Sequence, residues 1–155
     1  MSNGSIPVEF QNVYFKIEQY CASQEHCSFD VKRKLAQQSV PSEIIDQIIE
    51  KLIEKNFINY NRYCEAFTND HIKLKKWGRI KIKAALKAKS LPDASINNAI
   101  EKIDTELYLR NLMHLYSRKK NELTNENNLE KRKAKLIRYL ASNGYELEII
   151  FNLFD

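Results

Sequence analysis

Apolar residues recur along this chain at helical spacing, and the stripes they form predict nine helices. Phe10, Val13, Tyr14, Ile17, Tyr20 and Cys21 mark a first helix over residues 8–24. Ser28 is placed to cap a second, with Val31 and Leu35 facing inward. Pro41 opens a third at the first helical position, where proline is tolerated, and Ile45, Ile48, Ile49 and Leu52 make its stripe. After Asn56-Phe57-Ile58-Asn59 a fourth helix puts Tyr60, Tyr63, Cys64, Phe67, His71 and Leu74 on one face, and Trp77-Gly78 breaks it. Residues 79–89 form a fifth that buries Ile82, Ala85 and Leu86, and Pro92 opens a sixth carrying Ile96, Ala99, Ile100 and Ile103. Tyr108, Leu112, Leu115 and Tyr116 mark a seventh, and the polar run Asn121 to Asn128 reads as a loop. Leu129, Leu136, Ile137 and Leu140 mark an eighth that Asn143-Gly144 stops, and the last holds Ile149, Ile150, Leu153 and Phe154.

These stripes echo one another. Leu35, Leu86 and Leu140 are each followed by a polar or small-residue break and by an apolar residue five positions on: Val40, Leu91 and Tyr145. A further apolar pair follows each: Ile45 with Ile49, Ile96 with Ile100, and Ile150 with Phe154. Self-similarity at a fixed period signals a repeat architecture. The expected fold is all-α, three tandem three-helix repeats of helix-turn-helix character. A flexible N-terminus (1–7) precedes repeats at 8–58, 59–104 and 105–155. Stacked repeats make extended surfaces rather than deep pockets, which favours binding over catalysis.

Composition narrows this further. Three Gly and three Pro in 155 residues disfavour a strand-and-turn fold, and 43% hydrophobic residues exclude a wholly disordered chain. No apolar run approaches the roughly 20 residues that span a bilayer, and the start of the chain lacks a signal peptide pattern. Cys21, Cys27 and Cys64 form no paired framework and read as reduced thiols of a cytoplasmic protein. The net charge is only +5, but it is unevenly placed. From His71 to Pro92 there is no Asp or Glu, while the same stretch holds Lys73, Lys75, Lys76, Arg79, Lys81, Lys83, Lys87 and Lys89. A basic block of this kind points to an anionic partner more directly than the net figure does.

The second repeat carries a family resemblance. Arg62-Tyr63-Cys64-Glu65-Ala66-Phe67, followed by the segment from Trp77 to Lys89, resembles the RecX family, bacterial regulators of the RecA recombinase. Gly78, Lys81, Ile82, Lys83, Leu86 and Lys89 fill that family's glycine, basic and apolar positions; Ser28 to Leu35 with Ile44 to Ile58 resembles its opening repeat, and Lys135 to Tyr145 its closing one. Arg79 stands where many members have Pro, Ser90 where Gly is usual, and Ala85 where a polar residue is common. The resemblance implies an elongated, curved protein that lies in the groove of a RecA filament on DNA and reduces its activity. No cofactor, metal, small-molecule substrate or membrane is expected, since the sequence shows no metal spacing, phosphate loop or spanning run.

Beside that implication stand the residues themselves. On a helix over 76–89, Lys76, Arg79, Lys83 and Lys87 share a face suited to phosphates or to an acidic protein groove. The plainer reading of the same face is a solvated, solubilising one. Trp77 reads as a packing residue between the fourth and fifth helices, with base stacking the sharper alternative. A stand-alone DNA-binding protein of helix-turn-helix type is the second functional reading, with phosphate contacts only, because Lys rather than Arg, Asn or Gln dominates the fifth helix. A Cys64–His71 catalytic pair, seven residues apart on one face, lacks a visible orienting group. His26, His71 and His114 follow no metal spacing. The chain is expected to be a monomer.

Overall fold

The structure is a computed structural model and describes residues 5–155. Its helices are α1 (Gln11–Ser23), α2 (Ser28–Gln37), α3 (Ser42–Glu54), α4 (Tyr60–Lys75), α5 (Arg79–Ala88), α6 (Asp93–Glu101), α7 (Thr105–Glu122), α8 (Leu129–Ser142) and α9 (Leu147–Phe151). Single 3-10 turns flank them at Val8–Phe10 and Asn152–Phe154, and there is no strand among the described residues. Side chains of Asn59, Asp104 and Asn128 accept backbone N–H groups at the starts of α4, α7 and α8, the positions where such residues relieve unpaired donors.

The three-fold echo has a backbone cause. Leu35, Leu86 and Leu140 are fully buried. Their carbonyls accept from the N–H groups of Val40 (3.2 Å), Leu91 (3.3 Å) and Tyr145 (3.3 Å). The residue just before each donor is left-handed: Ser39 at φ 60°, Ser90 at φ 62°, Gly144 at φ 96°. Its own N–H closes the inner bond, to Ala36, Lys87 and Ala141. This is one helix stop used three times, with a buried apolar contact from Val40, Leu91 or Tyr145 back onto the leucine. Glycine fills the left-handed position only in the third case, so Ser39 and Ser90 hold a conformation that costs an L-residue about 1 kcal/mol.

Two apolar cores result. The first gathers Tyr14, Ile17, Val31, Leu35, Ile48 and Leu52 within α1–α3. The second runs continuously through α4–α9 and includes Ile82, Leu86, Ile96, Tyr108, Leu112 and Tyr145. The accessible surface, 9838 Å2, exceeds the roughly 8,100 Å2 expected of a compact monomer of 18.3 kDa, as an elongated row of units requires.

Several local expectations need correcting. Cys27, not Ser28, is the N-cap residue of α2, and the Ser28 hydroxyl faces that of Tyr60 instead. Pro41 and Pro92 sit one residue earlier than expected, at the N-caps of α3 and α6, where their carbonyls accept the first helical N–H groups. Leu74 is 79% exposed, because it lies two residues beyond buried Ile72 and so on the opposite side of α4; Thr68 and Ile72 fill the core there. Ala85 is only half-buried. Leu129 shares the face of Leu136 but is 74% exposed, since the first two turns of α8 project past the core. Ile6 is buried in the first core, although the sequence reading leaves it in a flexible terminus; residues 1–4 lie outside the described residues.

Candidate functional site

The basic block begins at a bend that is locked from both sides. Lys76 is left-handed (φ 54°), and the N–H of Trp77 bonds back to the His71 carbonyl, ending α4. Gly78 then meets the turn after α8: its N–H donates to the Asn143 carbonyl at 2.7 Å, and that of Ile80 to the Gly144 carbonyl at 2.9 Å. The free donors of one helix start thus satisfy the free acceptors of another helix end. A Cβ on Gly78 would lie 2.2 Å from the Gly144 carbonyl carbon, so backbone meets backbone with no room for a side chain. Around this contact the Tyr145 hydroxyl donates to the Lys76 carbonyl (2.8 Å), and the Tyr108 hydroxyl donates to Glu146 (2.7 Å) while accepting from the Arg79 N–H (3.0 Å). Burial and the Glu146 carboxylate push the Tyr108 hydroxyl well above the ordinary tyrosine range, so it stays a donor.

Against this frame the eight expected cations separate. Arg79 turns inward: its guanidinium pairs with Glu146 at 3.1 Å and lies 3.9 Å over the Tyr108 ring. Lys89 also turns inward, to Asp30 (3.0 Å) and the Tyr63 hydroxyl (3.1 Å). Lys73, Lys75 and Lys87 are exposed, while Lys76, Lys81 and Lys83 are half-buried. Lys87 has only a marginal 4.0 Å contact with Asp93. Among the described residues, Lys73, Lys75, Lys76, Lys81 and Lys83 have no carboxylate at ion-pair distance. The common face expected of Lys76, Arg79, Lys83 and Lys87 is broken at Lys76, because α5 starts only at Arg79.

Trp77 is half-buried, in a column with His71 (centroids 4.4 Å) and Phe67. Lys81 and Lys75 lie over its ring at 4.4 and 5.5 Å. The column is packing between α4 and α5, with two cations held on it by the ring's quadrupole. His71 Nδ1 pairs with the Phe67 carbonyl, 2.7 Å away. Cys64 is fully buried, and burial with nearby Cys27 pushes its thiol up to about 11, so it remains protonated. A nucleophilic pair is not assembled. No group of His, Cys, Asp or Glu is arranged to hold a metal among the described residues.

Sequence reasoning missed Asp30, Tyr63, Tyr108 and Glu146, which hold the two inward-turned cations. Their contacts span 59 and 67 residues for the ion pairs, a separation that no helical period reports.

The family models for the second and third three-helix domains of RecX match residues 61–100 and 106–154. The chain belongs to the RecX family. The two matched stretches correspond to α4–α6 and α7–α9, the RecX units that share one core here. The chain is similar to the regulatory protein RecX of Bacillus cereus strain B4264, 25% identical over 142 residues, 92% of this chain and 52% of that protein. It is also similar to regulatory protein RecX of Pseudomonas savastanoi pv. phaseolicola, 28% identical over 132 residues, 85% of this chain and 83% of that one. The chain spans about half the length of the Bacillus relatives it matches. Crystal structures share the fold: RecX from Lactobacillus salivarius (TM-score 0.79, 21% identity, 94% of both chains) and another regulatory protein RecX (TM-score 0.82, 20% identity, 89% of this chain and 68% of that one). No helix among the described residues is long and apolar enough to cross a membrane.

Proposed function

We propose that this protein is a non-catalytic regulator that binds RecA recombinase filaments on DNA and restrains their activity, working in the cytoplasm. Membership of the RecX family supports the regulatory role, and the curated relatives carry that name. The observation that carries the binding mode is the second unit's acid-free run of cations. After two of them are used internally, Lys73, Lys75, Lys76, Lys81, Lys83 and Lys87 remain outside any close ion pair, a basic strip of chain along α4, the bend and α5 whose side chains leave more than one side of the two helices. Such a strip suits phosphates of the bound DNA or an acidic filament groove, and its contacts weaken as salt rises. An elongated row of units places these cations between two further units that spread contacts over neighbouring subunits. Inhibition then works by holding the filament in place rather than by chemistry.

The test is affinity for duplex DNA, single-stranded DNA and the assembled filament at one salt concentration, with DNA-stimulated ATPase activity read in parallel. The filament is expected to bind most tightly. Reversing Lys73, Lys75, Lys83 and Lys87 to Glu, with Arg79 and Lys89 left in place, should abolish inhibition and flatten the salt dependence while the circular dichroism melt stays close to wild type. Equal affinity for all three partners would favour the free-standing DNA-binding reading. Full inhibition by the charge-reversed variant would remove the strip from the binding surface.

A further inference from the structure

We propose that the first unit is a hinged arm, latched against the basic second unit by Asp30 on Lys89, and that a polyanion bound to the strip releases it. This inference rests on the strip being the polyanion-binding surface, and it concerns how that surface is regulated.

The two joints in this chain are built differently. Units two and three share an apolar core and are pinned by backbone hydrogen bonds at Gly78 and Gly144. Units one and two have separate cores; of the first unit's described residues only Cys27 enters the second core, and Tyr60 packs against both. Beside those two apolar contacts the joint carries polar ones. Asp30, at the start of α2, accepts from Lys89 Nζ with both carboxylate oxygens (3.0 and 3.3 Å), from the Tyr63 hydroxyl (3.4 Å) and from the Cys27 thiol (3.3 Å). Arg62 pairs with Glu25 and also bonds the Asn56 and Phe57 carbonyls of the connecting segment. That segment turns at Asn56, which is left-handed at φ 63°.

The polar joint is incompletely filled. A cleft of about 450 Å3 opens along it, with Tyr20, Arg33 and Gln37 on one side and Tyr63 and Lys89 on the other. His26 Nε2 and Glu25 Oε2 are buried there without a hydrogen-bond partner. Unpaired buried polar atoms cost free energy in the closed arrangement, which the ion pairs and the Cys27 and Tyr60 contacts offset.

Charge supplies the trigger. Residues 8–58 carry eight Asp or Glu against six Lys or Arg, whereas residues 59–104 carry ten Lys or Arg against five Asp or Glu. The first unit is therefore mildly anionic as a whole beside a cationic one, and at the cleft it presents Glu25 and Asp30 together with Arg33 and Lys34. Lys89 belongs both to the latch and to the acid-free run that ends at Pro92. A phosphate arriving at Lys89 replaces the Asp30 carboxylate and repels it, so anion binding and latch closure compete for one ammonium group. Ligand and closed arm are then linked reciprocally. Releasing the arm frees Lys89 for the partner and lets the first unit move to its own contacts.

The experiment uses the full chain with spin labels at Glu43→Cys and Asn127→Cys, exposed positions on the first and third units; the native cysteines are buried. Pulsed dipolar spectroscopy reads the distance distribution, and fluorescence anisotropy of a short single-stranded oligonucleotide reads binding separately. The unliganded protein at low salt should give a narrow distribution. Saturating oligonucleotide should broaden it, as should Lys89→Gln without any oligonucleotide, while Lys83→Gln should stay narrow and only weaken binding. A circular dichroism melt confirms that each variant is folded. Bound oligonucleotide with an unchanged distribution, or a narrow distribution in Lys89→Gln, overturns the latch. Absence of oligonucleotide binding overturns the strip as a nucleic-acid surface, and the latch then stands or falls on Lys89→Gln alone.

Discussion

Adding one methyl group at Gly78 should uncouple the second and third units. The new Cβ would sit 2.2 Å from the Gly144 carbonyl carbon, 2.3 Å from its oxygen and 2.4 Å from the Tyr145 nitrogen, where ordinary contact starts at 3.4 Å. All three atoms are backbone, so no side chain is free to swing away, and the two segments must part by about 1 Å. That movement takes the Gly78–Asn143 bond (2.7 Å) and the Ile80–Gly144 bond (2.9 Å) out of range, each worth about 0.5–1.5 kcal/mol net. Overpacking at a rigid contact adds about 1–3 kcal/mol. Gly78 has φ −83°, which alanine adopts freely, so the reduced freedom of the unfolded chain gives back about 0.4–1 kcal/mol. The net expectation for Gly78→Ala is a loss of about 3 kcal/mol, which in a chain of this size lowers Tm by about 6–12 °C. Trp77, the sole tryptophan, is adjacent to the joint, so urea unfolding followed by its fluorescence reads the joint directly. Hydrogen exchange should quicken in α5, α8 and α9 and stay unchanged in the first core. A loss below about 1 kcal/mol would mean that the glycine contact is not what joins these units, and the assignment of Gly78 to a structural role would fail.

Truncating Leu35, Leu86 or Leu140 to Ala should cost about 2–5 kcal/mol each, and a neutral result at one of them in a thermal melt would end the equivalence of that repeat. Ser39→Gly and Ser90→Gly, which remove a Cβ from the left-handed residue of the first two helix stops, should each stabilise the protein by about 0.5–1 kcal/mol in urea unfolding; destabilisation at either would contradict the shared-turn geometry. Burial holds His26 below its ordinary 6.5, with Lys34 and Lys89 acting in the same sense and Asp30 and Glu25 against it. The unfolded chain therefore takes up that proton first, and the stability His26 contributes is full above about pH 6.5 and falls as pH drops toward its folded value. His26→Phe should flatten the change in urea midpoint between about pH 7.5 and about pH 5.5, and an undiminished change would place the titrating group elsewhere.

How far the fold is legible in the sequence depends on how local its causes are. The repeat is legible because its cause spans six residues: a buried leucine, a left-handed residue and a buried apolar residue recur in register at Leu35, Leu86 and Leu140. Stripe membership fails at Leu74 and Leu129 for related reasons. Hydrophobicity says that a leucine has somewhere to go, but only the angle from Ile72 and the overhang of α8 say that these two do not. The bend at Lys76 is still harder to foresee, since lysine is an unusual left-handed residue, and its stop is fixed by Trp77 and by the glycine contact with a segment some 65 residues away.

The basic block shows the same limit with more consequence. Eight cations without an intervening acid read as one surface, because sequence registers proximity along the chain and not the acids that folding delivers. Glu146 comes to Arg79 from the third unit and Asp30 comes to Lys89 from the first, so each end of α5 carries an ion pair to a different neighbour. These pairs are partly exposed, and an isolated one of that kind contributes at most about 1 kcal/mol. Their larger effect is on geometry: Arg79 is backed by the Tyr108 ring at 3.9 Å, the Tyr108 hydroxyl and two backbone bonds, whereas Lys89 meets Asp30, the Tyr63 hydroxyl and, at 5.7 Å, the Tyr63 ring, with no backbone bond across the joint beside it. Two cations of the same run, Arg79 and Lys89, thus do opposite work at the two ends of one helix. The first fixes the strip to the third unit, and the second leaves a joint that an anion is able to contest.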